Sequence, residues 1–175
     1  MAKNDMTPPG PNQIMTDIED AFLTADIQQG RVFTFEYLGQ AMPKQSVRGG
    51  KNGYYPQPKV VKRSNSIKVL ALAQANEQGQ PGSVCISGPV CIDVIFWFPW
   101  TGNISKKVKT FLICNGLEFK TTRPDLDNLE KLLMDALEGI YYTDDKQVVL
   151  KRVMKKYSDQ PRTQIVIREI LIPDK

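Results

Sequence analysis

"RPDLDNLEKLLMDALEG", Arg123 to Gly139, decides how this chain is read. Leu126, Leu129, Leu132, Leu133, Ala136, Leu137 and then Ile140 recur at spacings of three and four, which places them on one stripe of a helix. Pro124 before the stripe and Gly139 after it suit a helix start and stop. The spacing therefore predicts a helix over about 125–138, with Asp127, Glu130, Lys131, Asp135 and Glu138 on the opposite face. Its start is unusually acidic. Taken alone, Asp125 and Asp127 are equally well explained as caps that satisfy free N–H groups, and Asp127 with Lys131 as an ordinary i, i+4 pair.

A second acidic pair, Asp144 and Asp145 in "YYTDDKQVV", changes that balance. A helix of this length climbs roughly 20 Å at about 1.5 Å per residue. If the chain reverses at Gly139, residues 140–145 can descend roughly 20 Å in extended form. The pair is then expected level with the helix start. Strand side chains alternate, so at most one of Asp144 and Asp145 would face the site, leaving the other as a turn or surface residue. Three converging carboxylates repel one another unless a cation sits among them or a proton is shared. Oxygen-only ligands that leave room for water suit Mg²⁺ or Mn²⁺ rather than zinc. An EF-hand is a poor fit, because Leu129 and Glu130 stand where that loop needs a ligand and a glycine. Lys131, one turn above Asp127, would place an ammonium beside such a cation.

The rest of the chain supplies a frame. "RVFTFEYLG", 31–39, alternates Phe33, Phe35 and Tyr37 against Thr34 and Glu36, the period of a strand with one buried face. "SNSIKVLALAQANEQG", 64–79, reads as a helix with a Ser cap, "PVCIDVIFWFPW", 89–100, as a buried strand, and "SKKVKTFLICNG", 105–116, as a short helix ended by Gly116. "QVVLKRVMKKY" and "TQIVIREILI" read as two strands of a hairpin around "SDQPR". The fold expected is α+β, a mixed or antiparallel sheet with helices packed on it, over 31–175. Residues 1–30 are expected as an extension, partly disordered by its proline, glycine and polar content, with one short helix carrying Ile18, Phe22 and Ile27.

The 175 residues are 41% hydrophobic, enough for one domain with a real core, and the net charge is +4. The basic residues cluster. No Asp or Glu occurs between Tyr37 and Asn76, whereas Lys44, Arg48, Lys51, Lys59, Lys62, Arg63 and Lys68 do, with Tyr54 and Tyr55 among them. A second set, Lys106, Lys107, Lys109, Lys120 and Arg123, leads directly into the acidic site. Beside a carboxylate metal centre such clusters point to phosphate-neutralising contacts with DNA. The absence of histidine removes the commonest general base and zinc ligand. Cys85, Cys91 and Cys114 form no C-x-x-C pair, are odd in number and follow no signal peptide, which argues for a reducing cytoplasm and for core positions. The longest apolar run, Val94 to Trp100, is far short of a membrane span.

"RPDLDNLEKLLMDALEG" followed by "YTDDKQV", with "GQAMPK" after a first strand, resembles the RusA family of Holliday-junction resolvases in the form common in phages and prophages. The resemblance runs from about Arg31 to Ile172. It implies a Mg²⁺-dependent endodeoxyribonuclease, with Mn²⁺ as a substitute, that acts as a homodimer and makes paired nicks across four-way DNA in recombination and repair. By position, Asp125, Asp127 and Asp145 match the metal-binding carboxylates and Lys131 the catalytic lysine, while Asp144 matches the other half of the later pair. Lys44, Arg48, Lys51, Lys59, Lys106, Lys107, Lys120 and Arg123 are the expected DNA contacts. Two other classes of function fit the residues: a junction-binding protein without activity, and a metal-dependent nucleotide phosphohydrolase.

Overall fold

A computed structural model describes residues 28–44, 48–50, 53–55, 57–77 and 86–172. The expected N-terminal helix, Cys85 and Lys51 lie outside these residues. Strand β1 (Gln28–Leu38) is followed by a short ribbon of β2 (Arg48–Gly50) and β3 (Gly53–Tyr55), then α1 (Pro58–Glu77). Next come β4 (Val90–Pro99), α2 (Lys106–Cys114), α3 (Leu126–Leu137), a 3₁₀ turn (Asp145–Gln147), β5 (Val148–Ser158) and β6 (Arg162–Leu171). The main sheet is mixed, in the order β1-β6-β4-β5. β6 runs antiparallel to both β1 and β4, and β4 runs parallel to β5. The α+β arrangement expected from the sequence is the one observed.

Rows across the sheet show how the core is assembled. Phe33, Ile167 and Ile92 face one another on β1, β6 and β4, as do Phe35, Ile165 and Val94. All six are buried. Onto this surface α1 sets Ile67, Ala71 and Ala75, and α3 sets Leu129, Leu133, Ala136 and Leu137. The stripe read from the sequence is thus the buried face of α3. Behind it Tyr141 is fully buried, stacked on Phe35 with centroids 5.8 Å apart, and its hydroxyl donates to the Ala71 carbonyl at 3.1 Å. The other side of the sheet is ionic. Arg152 holds Asp93 through two bonds of 2.7 and 2.6 Å, and Arg168 joins from β6. Burial alone would raise the Asp93 carboxyl, but the bonds from the two guanidinium groups outweigh it and hold it below its ordinary value.

Three expectations are corrected. β5 and β6 are joined by only three residues, yet they do not form a hairpin, because β4 lies between them. β4 is apolar along almost its whole length and gains most from two flanking strands, whereas β5, with Lys151 and Lys155, is suited to an edge. Helix α1 begins at Pro58, six residues before Ser64, since proline fits the first helical position and needs no N–H partner there. Lys59, Lys62 and Arg63 are consequently helical. Of the two cysteines among the described residues, Cys91 is buried and Cys114 is exposed.

Tyr141 provides a test of this core. Burial pushes its hydroxyl up to about 12. Removing the hydroxyl as Tyr141→Phe should cost about 1 kcal/mol in urea unfolding at neutral pH. Because the folded value lies above the unfolded one, the Tyr141 contribution is complete below pH 10 and is lost as pH approaches about 12. The wild type should therefore lose its advantage over Tyr141→Phe across that interval.

Candidate active site at the start of helix α3

Asp125 occupies the N-cap position of α3 with extended backbone angles, but its carboxylate makes no capping hydrogen bond. Only its main-chain oxygen serves the helix, accepting from the Leu129 N–H at 3.3 Å. Asp127, in the first turn, is exposed and lies 3.5 Å from the Lys131 ammonium. The capping explanation thus fails for the Asp125 side chain and applies instead to Asp144. There the carboxylate accepts from the Lys146 N–H at 3.0 Å, and the Asp144 N–H in turn donates to the Gln147 amide oxygen at 3.2 Å. The Lys146 N–H, then the Lys146 ammonium, hold the Asp144 carboxyl below its ordinary value. Gln147 also donates to the Ile86 and Gly88 carbonyls, pinning the turn to the segment that leads into β4.

The return of the chain differs from the extended descent expected. Gly139, with φ 77°, opens a turn that closes when its N–H reaches the Tyr142 carbonyl at 2.7 Å. Asp145 follows in the 3₁₀ turn and is exposed. Burial, and after it the charges of Glu138, Asp145 and Asp135, push the Tyr142 hydroxyl well above its ordinary value. That hydroxyl donates to the Met134 carbonyl at 2.9 Å and ties the turn to α3. Among the described residues no three Asp, Glu, Cys or His side chains are grouped closely enough to hold a metal ion. Asp125 and Asp127 share the helix start, and with Asp145 in the 3₁₀ turn they do not make up such a group. The pair still fits a hard divalent cation chemically, since Mg²⁺ keeps several waters and is commonly held by one or two carboxylates plus substrate phosphate.

The pair stands beside a groove of about 730 Å³. One wall is the Gln40–Lys44 segment, another is Arg63 of α1, and the third is Arg123, Pro124, Asp125 and Asn128. The Lys44 N–H donates to the Asn128 carbonyl at 2.7 Å and ties the first wall to α3. Arg63 is held by the Tyr37 hydroxyl and lies 4.9 Å over that ring. The Lys44 ammonium pairs with Asp135. Three cationic side chains and one uncapped carboxylate therefore line a single cleft, a surface suited to phosphate beside a cation.

The other expected DNA contacts are scattered. Lys59 is exposed in the first turn of α1, and Lys106 and Lys107 in that of α2. Arg48 is on β2, its side chain outside the described set. Lys120 differs from them. It is 8% exposed, its ammonium lies 5.3 Å from the rings of Phe98 and Tyr157, and it donates to the Thr122 hydroxyl. Those aromatic faces supply the compensation that water gives an exposed lysine. In the sequence, Arg63 is one of a basic cluster, Tyr37 a strand position, and Asn128 carries no role. The acid-free stretch pointed to Arg63, but only the helix start at Pro58 turns it toward the groove.

Residues 36–168 match the family described as Endodeoxyribonuclease RusA. The chain is 35% identical over 136 residues to "Uncharacterized protein YqaN" of Bacillus subtilis (strain 168), covering 77% of this chain and 92% of that protein. It is 43% identical over 54 residues to "Crossover junction endodeoxyribonuclease rusA" of Lactococcus phage r1t, covering 30% of this chain and 41% of that one.

The two kinds of aspartate separate by stability. Asp144→Ala should lower the thermal midpoint at neutral pH, and Asp125→Asn should leave it unchanged within experimental scatter. The folded value of Asp144 is depressed, so its contribution is present above the unfolded carboxyl value and lost as pH falls through the folded one. The gap between wild type and Asp144→Ala should close on acidification.

Proposed function

Because the chain belongs to the RusA family of endodeoxyribonucleases, hydrolases of DNA phosphodiester bonds, we propose that it resolves four-way DNA junctions by paired nicks in recombination and repair, using Mg²⁺ held by Asp125 and Asp127. The observation that carries this reading is the Asp125 carboxylate, set at a helix N-cap without serving as the cap, on the wall of a groove lined by Lys44, Arg63 and Arg123. Arg63 and Arg123 neutralise the phosphates on either side of the scissile one, and Asn128 holds the Lys44 segment in place. Lys131, beside Asp127, is the group that stabilises negative charge developing on the phosphoryl oxygens. Bound between these carboxylates, a divalent cation would polarise the phosphate and make water a stronger nucleophile near neutral pH. Asp144 is spent on its cap, which leaves Asp145 as the third ligand of this proposal. For that role the 3₁₀ turn must carry its carboxylate toward the helix start when DNA and cation are bound. Mn²⁺, with the same preference for oxygen, would substitute.

We also propose a homodimer acting in the cytoplasm. None of the side chains of α2 is buried, and Val108, Phe111 and Ile113, with Leu117 and Phe119 beyond the helix, are about half exposed. A nine-residue helix with so little buried is marginal in water. Its first turn also carries Lys106 and Lys107, charges that its own dipole disfavours but that would lie well against the C-terminal end of an antiparallel copy. No helix among the described residues is long and apolar enough to cross a membrane.

The test uses a labelled four-way junction, a linear duplex and a nucleotide, each with Mg²⁺ or EDTA. Paired nicking of the junction with Mg²⁺ is expected, reduced about 10²-fold or more in Asp127→Asn. Junction binding without nicking, or turnover of the nucleotide alone, would overturn the proposal. Asp145→Asn should raise the Mg²⁺ concentration needed for half-maximal cleavage, and an unchanged titration would leave a two-carboxylate site. In light scattering, Phe111→Asp should convert a dimer into a monomer that keeps its circular dichroism.

A further inference from the structure

Lys155 shares the helix-bearing face of the sheet with buried Phe96, which it faces across β4 and β5. Its ammonium is partly buried and is bound by main-chain carbonyls. It donates to the Thr122 carbonyl at 3.0 Å and to the Pro124 carbonyl at 2.7 Å. These two acceptors flank Arg123 and immediately precede Asp125. The segment they belong to has no helix or ladder of its own over 121–125, apart from the bridge of Phe119 to Lys156 just before it. It is held at its other end by the same strand residue, since the Lys155 carbonyl accepts from the Lys120 N–H at 3.0 Å. The Lys120 ammonium then reaches forward to the Thr122 hydroxyl. One residue of β5 therefore grips the approach to α3 at both ends, with the Arg123 side chain on the groove wall and the Asp125 carboxylate next to it.

We propose that Lys155 is a positioning residue that sets Arg123 and Asp125 at the groove by clamping the backbone between them and β5. Two carbonyls in place of a carboxylate make the role specific: the Lys155 ammonium fixes main-chain atoms and takes up neither Asp125 nor Asp127. Sites of this kind tolerate errors of only about 0.5 Å in the groups that hold them. The link to cation binding rests on the function proposed above, whereas the clamp does not.

The test compares full-length wild type, Lys155→Gln and Lys155→Arg. Hydrogen exchange read by mass spectrometry should show faster exchange over 121–127 in Lys155→Gln, with the β4 and β6 peptides unchanged. In EDTA, the salt slope of junction binding should stay close to that of wild type, because Lys155 itself touches no phosphate and Arg123 keeps its charge, while affinity falls only modestly, by less than about threefold, as Arg123 loses its fixed place. The Mg²⁺ concentration for half-maximal cleavage should rise about tenfold, the usual scale for a group that orients a ligand. Lys155→Arg, which can still reach both carbonyls, should recover protection and most of the Mg²⁺ dependence. Should Lys155→Gln fail to fold, Lys155→Met, which keeps the apolar stem and removes the donor, takes its place with the same exchange and Mg²⁺ outcomes. Unchanged exchange would overturn the clamp. A weakened junction affinity with a shallower salt slope would make Lys155 a phosphate contact instead. If the wild type does not cleave, the functional proposal fails and the exchange result still judges the clamp.

Discussion

Strand β4 must be flanked on both edges, and the arrangement of the rest follows. Its residues Ile92, Val94, Phe96 and Phe98 are all essentially buried, and a strand this apolar loses most if either edge is left to water. β6 closes one edge antiparallel and β5 the other in parallel. With β5 on the outside, its lysines are carried to the rim where α3 begins. Lys151 there pairs with Glu130, and Lys155 reaches the backbone ahead of Asp125. The acidic helix start is therefore located by a strand that contributes no acid to it. On the far side of the sheet, the same strand order puts Asp93 between arginines of β5 and β6, so a polar residue in the central strand is satisfied from both neighbours.

What could be read from the sequence was local. Phe33 and Phe35 alternate with polar neighbours, and the leucines of α3 recur at helical spacing, so each element declared its own buried face. Strand neighbours could not be read in the same way. The short "SDQPR" link is compatible with a hairpin, and only competition for the centre of the sheet, which β4 wins, excludes it. Pro58 was a legible helix start in hindsight, but the caps after it looked equally good.

The charged residues divide along the same line. Asp125 and Asp144 each precede a helical turn, and nothing in their immediate neighbours distinguishes a free carboxylate from one engaged by Lys146 and Gln147. Lys120 looked like one more member of a basic run. Its partners, Phe98 and Tyr157, come from strands 22 positions before it and 37 after it, and it is their approach that removes it from the surface. The return of Asp145 depended on whether residues 140–145 extend, and the turn at Gly139 with the burial of Tyr141 and Tyr142 shows that packing took precedence over reach.

The insertion of β4 between two later strands also has a consequence for synthesis. When Pro99 leaves the ribosome, neither neighbour of its strand has been made, and β6 ends 72 residues further on at Leu171. At about 5–20 residues per second the gap is roughly 4–14 s. During that interval the most aggregation-prone segment of the chain, "VCIDVIFWF", has no sheet to join. Asp93 is the one charge within it, and in the nascent chain, before Arg152 and Arg168 exist to neutralise it, that carboxylate is what opposes self-association. The same aspartate thus serves the chain twice: as a gatekeeper during translation, and as the centre of an ion network once the sheet has closed.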